Sequence, residues 1–427
     1  MNTKEQQWQR LSDEVTRRGG NGNDVVEAYK ELYSVHNEEG IATWLGGLFD
    51  PDIGGFYYSN SARDNEYGEY NGEKHYFLPD IESTNQATNF LMTTRMIGSC
   101  MELPEWMRKK IIAFNCSLQD PDDGFIYHPQ WGKNIRQSRR GRDLMWSVAM
   151  EEKFNFKLPY PTANERLKAG LENPDKKDEI MASLPDYFKS RDAYNDYLCS
   201  FNWDEKAYAA GNTLAAQGDQ IVAAGLADAT VDFLNSIQNK DTGIWGKKTG
   251  YDATNGILKI TCFYEMAKKP IPNPLAVAMS AMDCITLDTR CETVCWQYNA
   301  WYSVRNIINN LRTFGGEEGN KTADGIVTEM LRRAPDGIRA TAKKVRTFVC
   351  DDGSYSYTPE FSSSTSQASR VSLGLKEGDV NATVINCTGV IHNSLRALEL
   401  NGLYVPLFGK TGYEKFLSAV RLPKDGI

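Results

Sequence analysis

The stretch Asp241-Thr-Gly-Ile-Trp245 leads an acidic residue through a glycine into an aromatic side chain. The chain repeats this pattern, and each copy is followed by an acidic residue and a stretch with helical spacing. The other copies are Asp52-Ile-Gly-Gly-Phe-Tyr-Tyr58, Asp122-Asp-Gly-Phe-Ile-Tyr127 and Asp351-Asp-Gly-Ser-Tyr-Ser-Tyr357. A recurring unit of turn and helix is typical of repeat architectures, in which each unit packs on its neighbours. The sequence therefore predicts a mainly α fold whose helices are joined by aromatic turns.

Helical periodicity fills most of the chain between the turns. One long helical region is predicted over about 205–237, with breaks at Gly211 and Gly218 because glycine weakens a helix interior. Strand signals are few, and the runs 124–128 and 354–358 are predicted as short β pieces. These patterns favour helical hairpins with only minor strand content.

The stretch Phe233-Leu-Asn-Ser-Ile-Gln-Asn-Lys-Asp-Thr-Gly-Ile-Trp-Gly246 resembles the glutamine–tryptophan repeat of the terpenoid cyclase and prenyltransferase toroids. In those proteins the glutamine caps a neighbouring helix and the tryptophan packs against it. Gln119-Asp-Pro-Asp-Asp-Gly-Phe125 is a looser copy. The turn Asp52–Ser59 also looks like turns of the sugar-acting α/α barrels, such as the N-acylglucosamine 2-epimerases and unsaturated glucuronyl hydrolases. The resemblance implies an α/α toroid, a fold that hosts many chemistries.

We expect residues 1–427 to form a single toroid domain with a surface insertion near 155–190, where the chain is charged and contains proline. The tract 362–367 is rich in serine and is predicted as a loop. These boundaries place the aromatic turns and the helices that follow them within the domain.

Charge and composition narrow the class of partner. The 427 residues carry a formal charge of −8, which disfavours nucleic acid as the main partner. The sequence shows neither a signal peptide nor an apolar run that could span a bilayer, so we expect a cytoplasmic protein. Phosphate-binding loops, dinucleotide-binding glycine patterns and histidine zinc motifs do not occur, so neither a cofactor nor a metal is expected. The oligomeric state is left open.

The acidic residues at the predicted helix starts are the candidate catalytic groups. They are Glu82, Asp143, Asp252 and Asp379. Two facing carboxyl groups can act as general acid and base when burial raises the pKa of one of them. The alternative role is helix capping, in which a carboxylate accepts backbone N–H bonds at the helix N-terminus. His75, in the loop before α-helical sequence resumes, is a further candidate base near neutral pH.

Aromatic and basic side chains near the turns are the candidate substrate contacts. Flat aromatic faces can stack on sugars, and arginine can hold a carboxylate or sulfate through two hydrogen bonds. The alternatives are helix packing for the aromatics, and a solvated charge run or a local ion pair for the arginines. The candidates are Tyr58, Arg63, Tyr127, His128, Trp131, Arg139, Arg142, Trp203, Trp245 and Tyr357.

These features lead to a carbohydrate-active enzyme as the first functional hypothesis. We expect a small-molecule or oligosaccharide substrate, with an acidic sugar as one option, and carboxylate acid/base catalysis in the manner of a glycoside hydrolase. Epimerase or lyase action comes next. The other open hypotheses are a terpenoid cyclase-like enzyme and a non-catalytic toroid that binds a glycan or a protein.

Overall fold

The computed structural model describes residues 3–65, 69–70, 73–74, 76–173, 175 and 185–424. This part of the chain is mainly helical, so the predicted mainly α class is confirmed. The helices of the first half are α1 (Lys4–Arg17), α2 (Gly22–Tyr33), α3 (Glu38–Gly47), α4 (Asn60–Asp64), α5 (Ile81–Thr93), α6 (Glu105–Ser117), α7 (Gln137–Phe154), α8 (Ala163–Glu172) and α9 (Arg191–Cys199).

The second half continues with longer helices. They are α10 (Trp203–Ala216), α11 (Gly218–Ala223), α12 (Ala227–Ile237), α13 (Gly250–Met266), α14 (Pro274–Thr286), α15 (Val294–Phe314), α16 (Gly316–Val345), α17 (Val380–Val384), α18 (Val390–Ala397) and α19 (Lys410–Ala419). A π-helical turn (Ile385–Gly389) joins α17 directly to α18. Short 3₁₀ segments lie at Cys100–Glu102, Asp186–Phe188, Arg346–Phe348 and Asn401–Leu403.

Three antiparallel pairs of two-residue strands complete the described secondary structure. They are β1 (Phe49–Asp50) with β2 (Gly55–Phe56), β3 (Glu69–Tyr70) with β4 (Glu73–Lys74), and β5 (Thr365–Ser366) with β6 (Ser369–Arg370). The first pair encloses the first aromatic turn. The runs 124–128 and 354–358, which were predicted as short β pieces, contain single bridges at Ile126 and Tyr355, and the two-residue strands lie elsewhere.

The aromatic turns share one backbone conformation. Each contains a glycine with positive φ, which suits glycine because it lacks a Cβ atom. These glycines are Gly54 (φ 94°), Gly124 (φ 75°), Gly243 (φ 70°) and Gly353 (φ 86°). Antiparallel pairing closes each turn, between Phe49 and Phe56, Gln119 and Ile126, Gln238 and Trp245, and Val349 and Tyr355.

Polar side chains stabilise these turns from within. The Asp50 carboxylate accepts the backbone N–H groups of residues 52 and 53, and Asp120 does the same for residues 122 and 123. Asn239 repeats the pattern with the N–H groups of residues 241 and 242. Asp and Asn favour turns because their side chains bond the backbone two residues further along. In these three turns the sequence repeat therefore corresponds to a repeated pattern in which one side chain accepts hydrogen bonds from two backbone N–H groups.

Two turn glutamines reach the start of the second helix after their turn. Gln238 donates to the carbonyl oxygen of Pro272, just before α14, at 3.0 Å. Gln119 donates to Tyr160 O at 2.9 Å, just before α8. Trp245 is buried and donates its indole N–H to Leu234 O. Each glutamine therefore ties its turn to the chain entering the second helix that follows it.

Six helix contacts form a series that begins and ends at α5. Helix α5 packs on α7, α7 on α10, α10 on α13, α13 on α15, α15 on α18, and α17 returns to α5. Helix α14 lies against α13, α15 and α16, and α16 also contacts α2. Helix α19 packs against α3, so the C-terminal helix joins the N-terminal region.

Two details of the predicted elements change. Helix α10 runs through Gly211 without a break, because α13 packs so closely there that a Cβ atom on Gly211 would lie 2.9 Å from Ile260. The interruption at Gly218 is present, where α11 begins. The loop predicted at 362–367 contains half of the β5–β6 hairpin.

Candidate active site

The first aromatic turn and the start of α5 are joined by a fixed set of hydrogen bonds. Asp80 is the N-cap of α5 and accepts the backbone N–H of Ser83 at 2.9 Å. The Asp80 N–H donates to Phe56 O, and the Phe56 N–H donates to the Thr84 hydroxyl. The turn aromatic is therefore held by the capping residue and by a threonine four positions later.

The start of α17 repeats this arrangement with the fourth aromatic turn. Asp379 is the N-cap and accepts the backbone N–H of Ala382 at 2.7 Å. Its own N–H donates to Tyr355 O, and the Tyr355 N–H donates to the Thr383 hydroxyl. Asp379 differs from Asp80 in accepting one more backbone N–H, from Ser363. Two helix starts of the same construction thus lie on the contacting helices α5 and α17.

Glu82 lies two residues after the cap of α5 and is buried, with 2% of its surface exposed. Its carboxylate accepts a hydrogen bond from Arg139 at 2.8 Å and one from the Ser366 hydroxyl at 2.5 Å. Burial raises the pKa of Glu82, and the positive charge of Arg139 opposes this increase only in part. Glu82 is therefore a buried carboxyl group with a preference for its protonated form relative to a carboxyl group in water.

Arg139 is fully buried and faces three carboxyl groups. Its Nε donates to Asp143 Oδ2 at 2.9 Å, and its Nη2 lies 2.8 Å from Asp143 Oδ1. The same Nη2 lies 3.6 Å from Asp80 Oδ1. The Trp131 ring lies over the guanidinium at 4.3 Å. The single positive charge of Arg139 thus forms ion pairs with all three carboxyl groups.

Burial and the charges of their neighbours explain the shifted pKa values of Asp143 and Arg139. Burial raises the pKa of Asp143 to about 7, Arg139 opposes the shift, and the charges of Asp80 and Glu82 add to it. Burial alone would lower the pKa of Arg139, but the three carboxylates outweigh it and raise that pKa. Because one guanidinium faces three buried carboxyl groups, repulsion among the carboxylates favours the protonated form of Asp143.

Asp379 is the second buried acid at this end of the helices. Burial raises its pKa to about 7, although the backbone N–H groups of Ala382 and Ser363 favour its charged form. The phenol of Tyr58 interacts with this carboxyl group and lies close enough to Glu82 for their charges to interact. Tyr58 therefore stands between the two helix starts.

The β5–β6 hairpin covers these acids. Ser366 donates to Glu82, and the Arg370 carbonyl oxygen accepts from the Trp131 indole at 2.8 Å and from the Gln130 amide at 3.1 Å. Glu82, Asp143 and Asp379 are no more than 2% exposed. In this arrangement the hairpin closes the acids off from solvent.

The remaining candidate acids lie elsewhere. Asp143 was expected at a helix start, but α7 begins at Gln137, so Asp143 lies in the second turn and caps nothing. Asp252 is exposed in the first turn of α13. His75 lies outside the described residues. The structure thus joins Glu82 and Asp143 through Arg139 and places Asp379 at the start of a neighbouring helix, whereas Asp252 is exposed.

Several predicted substrate contacts make internal bonds. His128 is buried, with Nε2 2.8 Å from Pro79 O and Nδ1 accepting from the Gln130 N–H, and burial lowers its pKa. Tyr127 donates to Asp123 within its own turn. Arg63 forms an ion pair with the neighbouring Asp64 at 2.6 Å.

Two predicted tryptophan contacts, Trp203 at the start of α10 and Trp245 in the third aromatic turn, belong to the core. Trp203 is 8% exposed, donates to Leu198 O and packs on Phe233. Trp245 is 1% exposed and contacts the Tyr264 ring. Tyr357, by contrast, is partly buried beside Cys295, with 3.5 Å between its hydroxyl and the sulfur. Of these three predicted contacts, only Tyr357 borders the interior near Asp379.

Two functional candidates were missed from the sequence. Ser366, the partner of Glu82, lies in the serine-rich tract that carried no chemical signal of its own. Lys259 points inward from α13, near Arg142 and Cys295. A usable signal did exist for the helix starts, because Asp80-Ile-Glu-Ser-Thr84 and Asp379-Val-Asn-Ala-Thr383 share aspartate and threonine at the same spacing.

The described ranges contain neither a clustered metal site nor a membrane-spanning helix. No group of three or more His, Cys, Asp or Glu residues there is arranged to hold a metal ion. Likewise, none of the helices described has the length and apolar character needed to cross a membrane.

Comparison with known proteins gave no match, whether with family models, with curated proteins or with solved structures.

Proposed function

We propose that the helices form an α/α toroid with the buried acids at one end of its inner ring. The six successive helix contacts that start at α5 and return to it through α17 support this arrangement. The glutamine bonds from two turns to the starts of α14 and α8 support it as well. In such a ring, the N-termini of the inner helices would converge on a common centre.

We propose that the protein is a carbohydrate-active enzyme, with glycoside hydrolysis as its reaction. One observation carries this proposal: Glu82, Asp143 and Asp379 are buried carboxyl groups with raised pKa values, and Tyr58 links the two helix starts from which Glu82 and Asp379 project. Carboxyl groups in such surroundings can hold a proton near neutral pH and release it during a reaction.

Glu82 and Asp379 are the proposed catalytic pair. Glu82 would protonate the glycosidic oxygen, and Asp379 would act on the other side of the sugar, either as nucleophile or by activating water. The bond from the anomeric carbon to the leaving oxygen breaks while that oxygen takes the proton from Glu82. Asp143 is a positioning residue, because it holds the Arg139 guanidinium that contacts Glu82.

Substrate access requires the β5–β6 hairpin to move. The proposed pair is closed off by the bonds of Ser366 to Glu82 and of Ser363 to Asp379. An oligosaccharide that displaced the hairpin would replace these hydroxyl and amide donors with its own hydroxyl groups. Loops that open for substrate and close over it are common in enzymes that exclude water.

The test is amide substitution of each acid. We expect Glu82→Gln and Asp379→Asn to lower kcat on a panel of neutral and uronate oligosaccharides by about 10²–10⁴-fold, since the acid and base steps are lost. Asp241→Asn, in an exposed turn, is the matched control and should keep full activity. Thermal unfolding checks that each variant is folded. Full activity in both folded variants would exclude Glu82 and Asp379 as the catalytic pair.

A terpenoid cyclase-like reaction is the second candidate. It is favoured by the glutamine–tryptophan turn and by Asp379, whose raised pKa and neighbours Tyr58 and Tyr357 suit a buried acid in an aromatic pocket. The same variants assayed with a polyprenyl substrate separate the two reactions. Product analysis of the sugar panel distinguishes hydrolysis from epimerisation and lyase cleavage. If the wild-type protein binds glycans without converting them, the non-catalytic alternative is favoured.

A further inference from the structure

Arg142 differs from its neighbour Arg139 in having no carboxylate within ion-pair distance among the described residues. The two side chains are three residues apart on α7, so they lie on the same side of the helix. Arg139 is occupied by three carboxyl groups. The guanidinium of Arg142 instead lies near an aromatic side chain, 5.9 Å from the centroid of the Trp146 ring.

Lys259 is a second cation of this kind. It projects from α13, and its stem lies against α10, since a Cβ atom on Gly211 would be 3.1 Å from Lys259 Cβ. Within the described ranges its ammonium group has no carboxylate within 4 Å. Its pKa is lowered, first by burial and then by the positive charge of Arg142.

The two cations converge on one interior region. Both interact electrostatically with Cys295 of α15, and Arg142 also with Tyr208 of α10. Tyr208 is 44% exposed, so this region is in part open to solvent. Arg142 is also close enough to Glu82 to affect its titration. Arg142 therefore borders the proposed reaction site, and Lys259 lies near enough to Arg142 for their charges to interact.

Two partly buried cations that share a space repel each other and lose hydration, which costs free energy unless an anion compensates them. The chain as a whole is acidic, with a charge of −8, so this interior pair is not part of a general positive surface. A planar guanidinium and a compact ammonium group together can hold an oxyanion by charge-assisted hydrogen bonds.

We propose that Arg142 and Lys259 bind the anionic substituent of a sugar, a carboxylate or a sulfate ester, beside the catalytic carboxyl groups. This inference rests on the proposed carbohydrate function and names its substrate class. It assigns Arg142 to substrate recognition and Arg139 to the internal network. It also adds Lys259 as a determinant of specificity.

The test is calorimetric binding of three monosaccharides, D-glucuronate, D-glucose 6-sulfate and D-glucose. We expect wild-type protein to bind at least one of the two anionic sugars about ten-fold or more tightly than glucose, since charge-assisted bonds contribute that much. Arg142→Gln and Lys259→Met should each remove most of this preference and leave glucose affinity within about two-fold. Comparison of glucuronate with glucose 6-sulfate identifies the anion.

Arg136→Gln is the matched control, because Arg136 lies exposed just before α7 and its substitution removes one positive charge, as Arg142→Gln does. It should retain the preference. Circular dichroism establishes that all variants are folded, and a Lys259→Arg variant should restore part of the preference if the charge is what binds. Equal affinity for the three sugars, no detectable binding of the anionic sugars, or a preference unchanged in both variants would overturn the inference.

The inference and the proposed function fail in different ways. Hydrolysis of neutral oligosaccharides without any preference for anionic ones would overturn the anion site and leave the hydrolase intact. Binding of anionic sugars that depends on Arg142 and Lys259, in a protein that converts no oligosaccharide, would keep the anion site and remove the hydrolase.

Discussion

Arg139 connects the structural and the proposed catalytic roles of the acidic residues. Replacement by methionine keeps an unbranched apolar stem, removes the guanidinium, and leaves Asp80, Glu82 and Asp143 buried without their cation. We expect Arg139→Met to lower the free energy of unfolding at pH 7 by about 3–5 kcal/mol, because breaking a buried ion pair leaves uncompensated charge. Urea unfolding measures the change.

The loss should shrink as the pH falls. Both Glu82 and Asp143 have raised pKa values, so without Arg139 they take up protons more readily and the uncompensated charge disappears. Arg136→Met, at the exposed start of α7, should stay within about 0.5 kcal/mol of wild type at each pH. An Arg139→Met protein as stable as this control at pH 7 would show that the cluster contributes little to stability.

The sequence identified the acids at this site better than their partners. Glu82 and Asp379 follow aromatic turns, and that position alone marked them. The role of Arg139 was not predictable, since it depends on α7 packing against α5. Within one run of arginines, burial separates Arg139 from the partly exposed Arg142. A helix wheel shows that the two share a side but not which carboxylates face them.

The access of a substrate to the buried acids would depend on the β5–β6 hairpin, which contacts Glu82 through Ser366. Ser366→Ala removes the hydroxyl that donates to Glu82, and a hydrogen bond to a charged group contributes about 1.5–3 kcal/mol. We therefore expect amide hydrogen exchange in residues 363–371 to become about ten-fold faster, measured by mass spectrometry.

Ser364→Ala is the control for this experiment, since the Ser364 hydroxyl makes no hydrogen bond to any described residue while its carbonyl still accepts from Val371. Exchange in the control should match the wild type. Equal exchange in both variants would mean that the Ser366 bond does not hold the hairpin closed. The hairpin itself was predicted only as a loop, because its strands are two residues long and lack alternating apolar positions.

The turns and helices were more predictable than the hairpin. Glycine followed by an aromatic marks a local conformation that the four turns share through positive φ at the glycine. The break expected at Gly211 did not occur, because the missing side chain there admits Lys259 and Ile260 of the neighbouring helix. Local propensity suggested a break, whereas close helix packing preserved the helix.

For the whole molecule, the contact between α3 and α19 joins regions far apart in the sequence. Phe416 of α19 is fully buried and stacks near Phe56 of the first aromatic turn, with 6.3 Å between ring centroids. We expect Phe416→Ala to lower the free energy of unfolding by about 3–5 kcal/mol, since it removes a large core side chain. Urea unfolding followed by tryptophan fluorescence measures this loss.

Leu417→Ala is the matched control on the same helix, where the side chain is only partly buried. Its loss should be clearly smaller. Equal losses in the free energy of unfolding would indicate that α19 unfolds locally as a unit. Burial of Phe416 would then contribute no more to stability than Leu417 does. This contact was not predictable from the sequence, because neither α3 nor α19 carries a motif that indicates which helix it packs against.

The same contact between α3 and α19 sets an order of events during synthesis. A ribosome that has produced α3 must translate more than three hundred further residues before α19 exists to cover it. Until then the surface that receives Phe416 stays exposed on the nascent chain, where it can bind chaperones or other nascent chains. This surface of α3 can therefore be covered only after α19 has left the ribosome, and not when any earlier helix appears.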